Sequence, residues 1–506
     1  MVKKEGHVKT YIRILALLIV SGMLFSLASC GGGGSEISTQ APALSMTDAV
    51  AEEESTDSNY ICDLPEDLDY KEAEVNILYA EMDGRLDELV SEELTGSIIS
   101  DAVYERNQSV EDQLNIRLSF TGAGEDAAAE QKVRNVVQAG DRSFDLFCVG
   151  SWVAMPMVIS GVYLELNDIE NIDLSKHYWV QKFNELVTYT SENRQFLATS
   201  AAAMSMYRMT YLTIFNRALM EERKMPDLYE VANTGEWTLD YQYKLIADVF
   251  EDDGDGKATE DDFYGFLTGA FVSTDPYLDA CNIHLVIRDG DWIYNSDAMG
   301  AMTDMMDKVR SIYHADGTFV FSWDDDGAHT GFKAIEKFAE EEALMATTLF
   351  FRIERRFDML ADCEYGILPM PKLNVAQQNY WSCPHAQVSA FGISAAIGDE
   401  ERQSLLGAVM ESIAYHSHRF IRPAYFDATL SLRFMQDIQS RDMLDMIVDS
   451  ISFDYCYFTG IGDVRKNLRT ILPNKHAGSF SPIKKWETAL LRALEREKDA
   501  LEKMYG

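Results

Sequence analysis

Basic side chains are scarce: 44 Lys and Arg stand against 83 Asp and Glu in 506 residues, a net charge of −39. A field of that sign repels phosphate backbones, which excludes a nucleic-acid partner. Cysteine is thin too, with 7 residues scattered along the chain and no CxxC pair. That spacing excludes a zinc finger and a disulfide-dense framework, and leaves room for one or two bridges at most. Walker, GxSxG and HExxH motifs are absent. The 9 His are dispersed, and His416 and His418, two apart on a predicted helix, face different ways. No fixed-period repeat of the solenoid kind is present. Carboxylates are too abundant to single out a hydrolytic pair about 5–10 Å apart, so that geometry stays open. What remains is ample core material, 47% hydrophobic and 11% aromatic. It suits two or three lobes of roughly 100–200 residues each.

The N-terminus is the most informative segment. Lys3, Lys4, Lys9 and Arg13 precede an apolar run over 14–27 broken only by Ser21, Gly22 and Ser26. Leu27-Ala28-Ser29-Cys30 follows, then four glycines. A basic start, a short apolar centre and small residues before the cut describe a secretory signal over 1–29. A permanent span needs about 20 apolar residues, so the run is marginal as one. The Leu-Ala-Ser-Cys ending resembles a bacterial lipobox, which implies acylation of Cys30. Residues 30–71 begin rich in Gly, Ser, Thr, Ala and Glu and read as a flexible tether.

Order begins near Glu72. The alternation over 73–79 predicts a strand. Ile98, Ala102, Val103 and Val110 give helical spacing over 98–114, and 115–120 and 143–150 return to strand patterns. Further strands are expected over 194–201, 211–215, 343–349, 365–369 and 388–395. Helices are expected over 237–249, from Arg352, over most of the chain after Glu400, and over 482–504. Strands alternating with helices imply an α/β fold with parallel or mixed sheets.

Several stretches then carry a family resemblance. They are Ile99-Ser100-Asp101-Ala102-Val103-Tyr104-Glu105-Arg106-Asn107, Phe144-Asp145-Leu146 with Gly150-Ser151-Trp152, and Gly161-Val162-Tyr163-Leu164-Glu165-Leu166-Asn167. Gly235-Glu236-Trp237-Thr238, Asp262-Phe263-Tyr264-Gly265-Phe266, Tyr365-Gly366-Ile367-Leu368-Pro369-Met370-Pro371-Lys372 and Arg422-Pro423-Ala424-Tyr425-Phe426 complete the series. In this order, over about residues 72–460, the chain resembles the family 1 extracellular solute-binding proteins, the lipoprotein components of carbohydrate-type ABC importers. The resemblance implies a two-lobed periplasmic-binding-protein-like fold of type II, with a ligand cleft between lobes and crossover hinge strands. Lobe one would be about 72–203 and 368–425, and lobe two about 204–367 and 426–506. It also implies a non-enzymatic monomer on the extracellular face of the membrane, delivering solute to permease subunits driven by a separate ATPase.

In open α/β sheets the ligand lies beyond the carboxyl ends of strands. That rule selects Trp152, then Phe350, Phe351 and Arg352 after the strand over 343–349. It also selects Ser200 and Met204 near the first crossover, with Trp381 and His385 as weaker candidates. Phe350 and Phe351 are read as extended, one ring to each side. Tyr277, Trp292 and Trp323 are candidate stacking platforms in lobe two, and Trp237 is read as packing. Where relatives often carry Gly-Pro-Gly-Trp, this chain has Val149-Gly150-Ser151-Trp152, and 199–210 is rich in Ala and Met. The expected solute is an oligosaccharide. A polyamine, a peptide or a phosphorylated polyol is the alternative, and a secreted glycan hydrolase or adhesion module a more distant one.

Residues 251–262 approximate a twelve-residue EF-hand loop, with Glu251, Asp253, Asp255, the Lys257 carbonyl, Thr259 and Asp262 at the ligand positions and Gly256 at the sharp turn. Glu251 and Asp262 depart from the usual Asp and Glu. The loop is expected to hold a structural Ca²⁺.

Overall fold

The computed structural model describes residues 58–322, 331–476 and 480–505. The signal segment, Cys30, the first part of the tether and Trp323 lie outside the described residues.

Two sheets organise the chain. In the first, Ala73–Tyr79 pairs in parallel with Ile116–Gly122 on one side and Leu146–Gly150 on the other. Ser389–Ile393 closes the second edge, antiparallel to Leu146–Gly150. Leu146–Gly150 is buried throughout, which is why it reads as an unbroken apolar run. The helix Ile98–Leu114 stops where Asn115 adopts the left-handed conformation (φ 49°), a region asparagine tolerates, and the chain turns into the next strand. This helix is tied to the long helix Glu400–Arg422: Arg106 Nη1 donates to Ser417 Oγ at 3.1 Å, and Ser412 Oγ to Gln113 Oε1 at 2.7 Å.

The second sheet runs Thr318–Phe321, Phe263–Gly269, Ala343–Leu349, Tyr211–Asn216, Tyr365–Leu368, with Phe250–Glu251 paired outside Phe263–Gly269. The first three are parallel, and the last two enter antiparallel to their neighbours. Ala343–Leu349 is buried at every position, as the centre of a two-faced sheet requires.

Two crossover segments run side by side between the sheets. Tyr211 N donates to Cys383 O at 3.0 Å and His385 N to Met209 O at 2.7 Å. The return lies later than the expected position near 368. Residues after the strand Tyr365–Leu368 still bind the second lobe, with Trp237 Nε1 on Pro369 O and Tyr380 Oη on Ala232 O.

Three local expectations are corrected. Only Arg194–Gln195 of 194–201 is a strand, because the chain there leaves the sheet as a crossover held by single bridges, Ala198 to Phe391 and Ser200 to Trp179. The helix expected from Arg352 begins at Phe350, so Phe350 and Phe351 are not extended. Successive helical side chains sit about 100° apart, and both rings turn inward, 0% and 9% exposed. The helix expected over 237–249 is shorter, Leu239–Ile246, capped by Thr238 Oγ1 on Tyr241 N. All six described cysteines are free thiols, five of them buried and Cys62 half-buried.

Candidate binding cleft

The carboxyl ends of both sheets face a common polar centre. On the first sheet, Asp126 opens the helix Asp126–Gln138 and is 1% exposed. Its Oδ1 accepts from Gly150 N at 2.9 Å and Arg85 Nη2 at 2.5 Å, and its Oδ2 from Trp152 Nε1 at 2.7 Å. One carboxylate therefore fixes both a guanidinium and an indole. Gly150 is required here by space: a Cβ would stand 2.5 Å from Asp126 Oδ2 and 2.9 Å from Arg85 Nη1. Arg85 Nε and Nη1 are buried with no partner.

The hinge adds two more unpartnered polar atoms, Tyr211 Oη and His385 Nδ1, on rings 6.3 Å apart. Burial, and then the guanidiniums of Arg469, Arg465, Arg352 and Arg85, hold His385 well below its ordinary range, so the imidazole is neutral. From the second lobe, Asp275 accepts from Arg469 Nε at 2.7 Å, Arg469 Nη2 at 2.5 Å and Tyr457 Oη at 3.0 Å. The acceptors of the centre are largely engaged, and donors of Arg85 and Tyr211 are not. Buried polar groups left in that condition are costly, so they mark a place for a polar ligand.

The lobes are clasped along one edge of this centre. Asp83 pairs with Arg355, and Arg208 bridges Asp87 (2.9 Å) and Glu354 (3.3 Å). Buried Glu88 accepts from Ser389 Oγ at 2.6 Å and from Ser205 N.

The structure brings together Trp152, Phe351 and Arg352 of the expected residues. Trp152 is half-buried, and Arg352 is 1% exposed with its guanidinium against the backbone of Gly331. The others lie elsewhere. Phe350 is core. Ser200 accepts from Ala202 N inside the first crossover, and Met204 is fully buried beside it. Tyr277 is buried 6.3 Å from the Tyr313 ring. Trp381 lines an outer groove of about 550 Å³, with Lys182 Nζ 5.4 Å from its ring centre. Arg85, Asp126 and Asp275 were not singled out, although the strand-end rule that found Trp152 also reaches Arg85 and Asp275. Tyr457 and Arg469 come from distant helices and carry no local signal.

No family model matches the chain, and no curated protein matches it. Solved structures do. The sugar-binding protein MalE from Xanthomonas citri aligns over 85% of this chain and 99% of its own, with 12% identity and a TM-score of 0.56. The chain has the two-lobed solute-binding fold. A sugar transporter protein from Rhizobium etli in an open conformation shares this fold over 82% of this chain and 99% of its own (12% identity, TM-score 0.53). A solute-binding protein of an ABC transporter from Thermotoga lettingae, bound to α-D-tagatose, does so over 85% and 100% (12% identity, TM-score 0.51).

Within this solute-binding fold the 251–262 loop lies on the second lobe, leading into Phe263–Gly269. Its ligand set differs from the expected one. Glu251 pairs with Phe263 in the sheet and its carboxylate binds Arg223 at 2.6 Å, so it is turned out of the loop. Asp255 accepts from Lys257 N. Oxygens of Asp252, Asp253 and Asp262 lie within 4.8 Å of one another. Asp262 is 1% exposed and accepts from Asp253 N at 2.8 Å and Thr259 N at 2.7 Å. Two of the expected side chains thus converge, and Asp252 stands in for Glu251. Three carboxylates so close repel one another, and a hard dication suits them.

Proposed function

We propose that this chain is a membrane-anchored solute-binding lipoprotein that captures a carbohydrate, with an oligosaccharide as the expected ligand, and delivers it to an ABC permease. The observation that carries the reading is the set of unpartnered buried polar atoms on Arg85, Tyr211 and His385 beside the tethered indole of Trp152. Sugar hydroxyls accept and donate hydrogen bonds at their edges, and sugar CH faces stack on an indole. The sugar-bound or sugar-named proteins of the same fold support the same class. Attachment is assigned to Cys30 by the lipobox-like sequence Leu27-Ala28-Ser29-Cys30. Acyl chains buried at about 0.8 kcal/mol per CH₂ hold stably when two are present.

The test is a thermal-shift screen of the purified chain against mono- and oligosaccharides and peptides. A ligand at a hundredfold excess over its Kd adds about 2.7 kcal/mol of stability, a readily measured rise in Tm. One saccharide class raising Tm is the expected outcome. A peptide doing so with every saccharide inert would overturn the carbohydrate reading.

For the acidic loop we propose a structural Ca²⁺ held by Asp252, Asp253 and Asp262. Chelator is then expected to lower Tm by a few degrees, calcium to restore it, and Asp262→Asn to make the melt indifferent to either. Identical melts of the parent chain in calcium and in chelator would leave the loop a solvated turn.

A further inference from the structure

A second aromatic cluster lies apart from the cleft, beneath the C-terminal helix Phe480–Tyr505. A groove of about 380 Å³ runs between this helix, the hairpin Val286–Asp289 to Asp291–Tyr294, and Tyr189. Trp292 and Tyr455 stack with ring centres 4.2 Å apart, and Trp292 is fixed by its Nε1 donating to Thr188 O at 2.9 Å. Leu494 and Leu501 supply an apolar floor.

The polar end is unusual. Glu497 Oε1 accepts from Tyr455 Oη at 2.6 Å, and that is its one hydrogen bond among the described residues. No Lys or Arg among them forms an ion pair with Glu497. The adjacent Lys498 is turned to Asp291, 2.7 Å away. Tyr189 is fully buried in the same wall, and its Oη has no partner. Burial pushes the Glu497 carboxyl up to about 7, as expected of an acid with no cation beside it.

We propose that this groove is a second ligand site, selective for an amphipathic primary amine of diamine or triamine size. An ammonium carries three donors and no acceptor. It would meet a carboxylate oxygen, a phenol oxygen and the electron-rich ring of Trp292, whose other side is covered by Tyr455. Its methylene chain would lie on the leucines. An anion would face Glu497, Asp291 and Glu495 together. A bare metal ion would find fewer oxygens than its coordination shell demands. The proposal stands apart from the cleft and does not depend on what the cleft binds.

The experiment is calorimetric titration of the full-length chain in detergent with cadaverine, spermidine and 1,5-pentanediol, the last a neutral match for cadaverine. An amine is expected to bind at least about 30-fold more tightly than the diol. It should quench Trp292 fluorescence, a change absent from Trp292→Phe. Glu497→Gln keeps an acceptor for Tyr455, so its melt should match the parent while amine affinity falls at least about 30-fold. Binding should also release a proton near neutral pH, seen as a heat that varies with buffer ionisation, because the ammonium holds Glu497 ionised amid Tyr189, Tyr455, Asp291, Glu495 and Lys498. Equal affinity for the diol, an unaffected Glu497→Gln, or no heat with either amine would overturn the proposal. So would loss of amine binding in Trp152→Ala, which would place the amine in the cleft.

Discussion

Asp126→Ala is expected to cost the fold about 3–5 kcal/mol and to remove saccharide binding. The stability loss follows from burial: the substitution leaves Arg85 charged and unpaired in a dry site, the situation in which breaking an ion pair is most damaging. It also strips a hydrogen bond from Gly150 N and another from Trp152 Nε1. The binding loss follows from geometry, since the guanidinium and the indole both lose the group that aims them. Asp126→Asn separates the two effects. An amide oxygen still accepts, so much of the positioning survives while the ion pair does not. Denaturant melts and titration with the saccharide found in the thermal screen read the two effects separately. A melt of Asp126→Ala unchanged from the parent would mean that the pair contributes nothing to the fold.

Trp152→Ala is expected to weaken saccharide binding by about 30- to 1000-fold, the range of about 2–4 kcal/mol found when a central aromatic anchor is truncated. Trp152 is half-buried, and Asp126 fixes its indole by the ring edge, which leaves stacking by a sugar ring as the contact the substitution tests. Trp152→Phe keeps a stacking face and gives up the N–H, and should recover most of the affinity. Isothermal titration of the three proteins gives the comparison. Affinity unchanged in Trp152→Ala would remove the indole from the site.

Much of the fold was legible in the sequence wherever one period dominated. The helix 98–114 and the strands 73–79 and 343–349 emerged with their ends: the first two show apolar positions at helical and alternating spacing, and the third is a short run buried throughout. The failures cluster where tertiary contacts override local pattern. Residues 196–201 have strand composition, yet they bridge single residues on two different segments instead of joining a ladder. Phe350 and Phe351 follow a strand directly, and nothing in two adjacent phenylalanines announces a helix start. The site was half legible. Trp152 and Arg352 follow buried strands, so a strand-end rule finds them. Asp126 begins a helix and looks like any acidic helix start. Arg469 and Tyr457 reach the centre from elements far along the chain, and only the three-dimensional arrangement pairs them with Asp275.

The edge strand Ser389–Ile393 completes the first sheet only after the whole second sheet has been laid down along the chain. The strand order thus postpones closure of the first lobe until late in synthesis. Pairings of such long sequence separation form slowly, since the loop entropy is lost before the contacts can repay it. Every strand of the second sheet is therefore in place along the chain before the last pairing of the first can form, so the two lobes cannot fold one after the other in chain order.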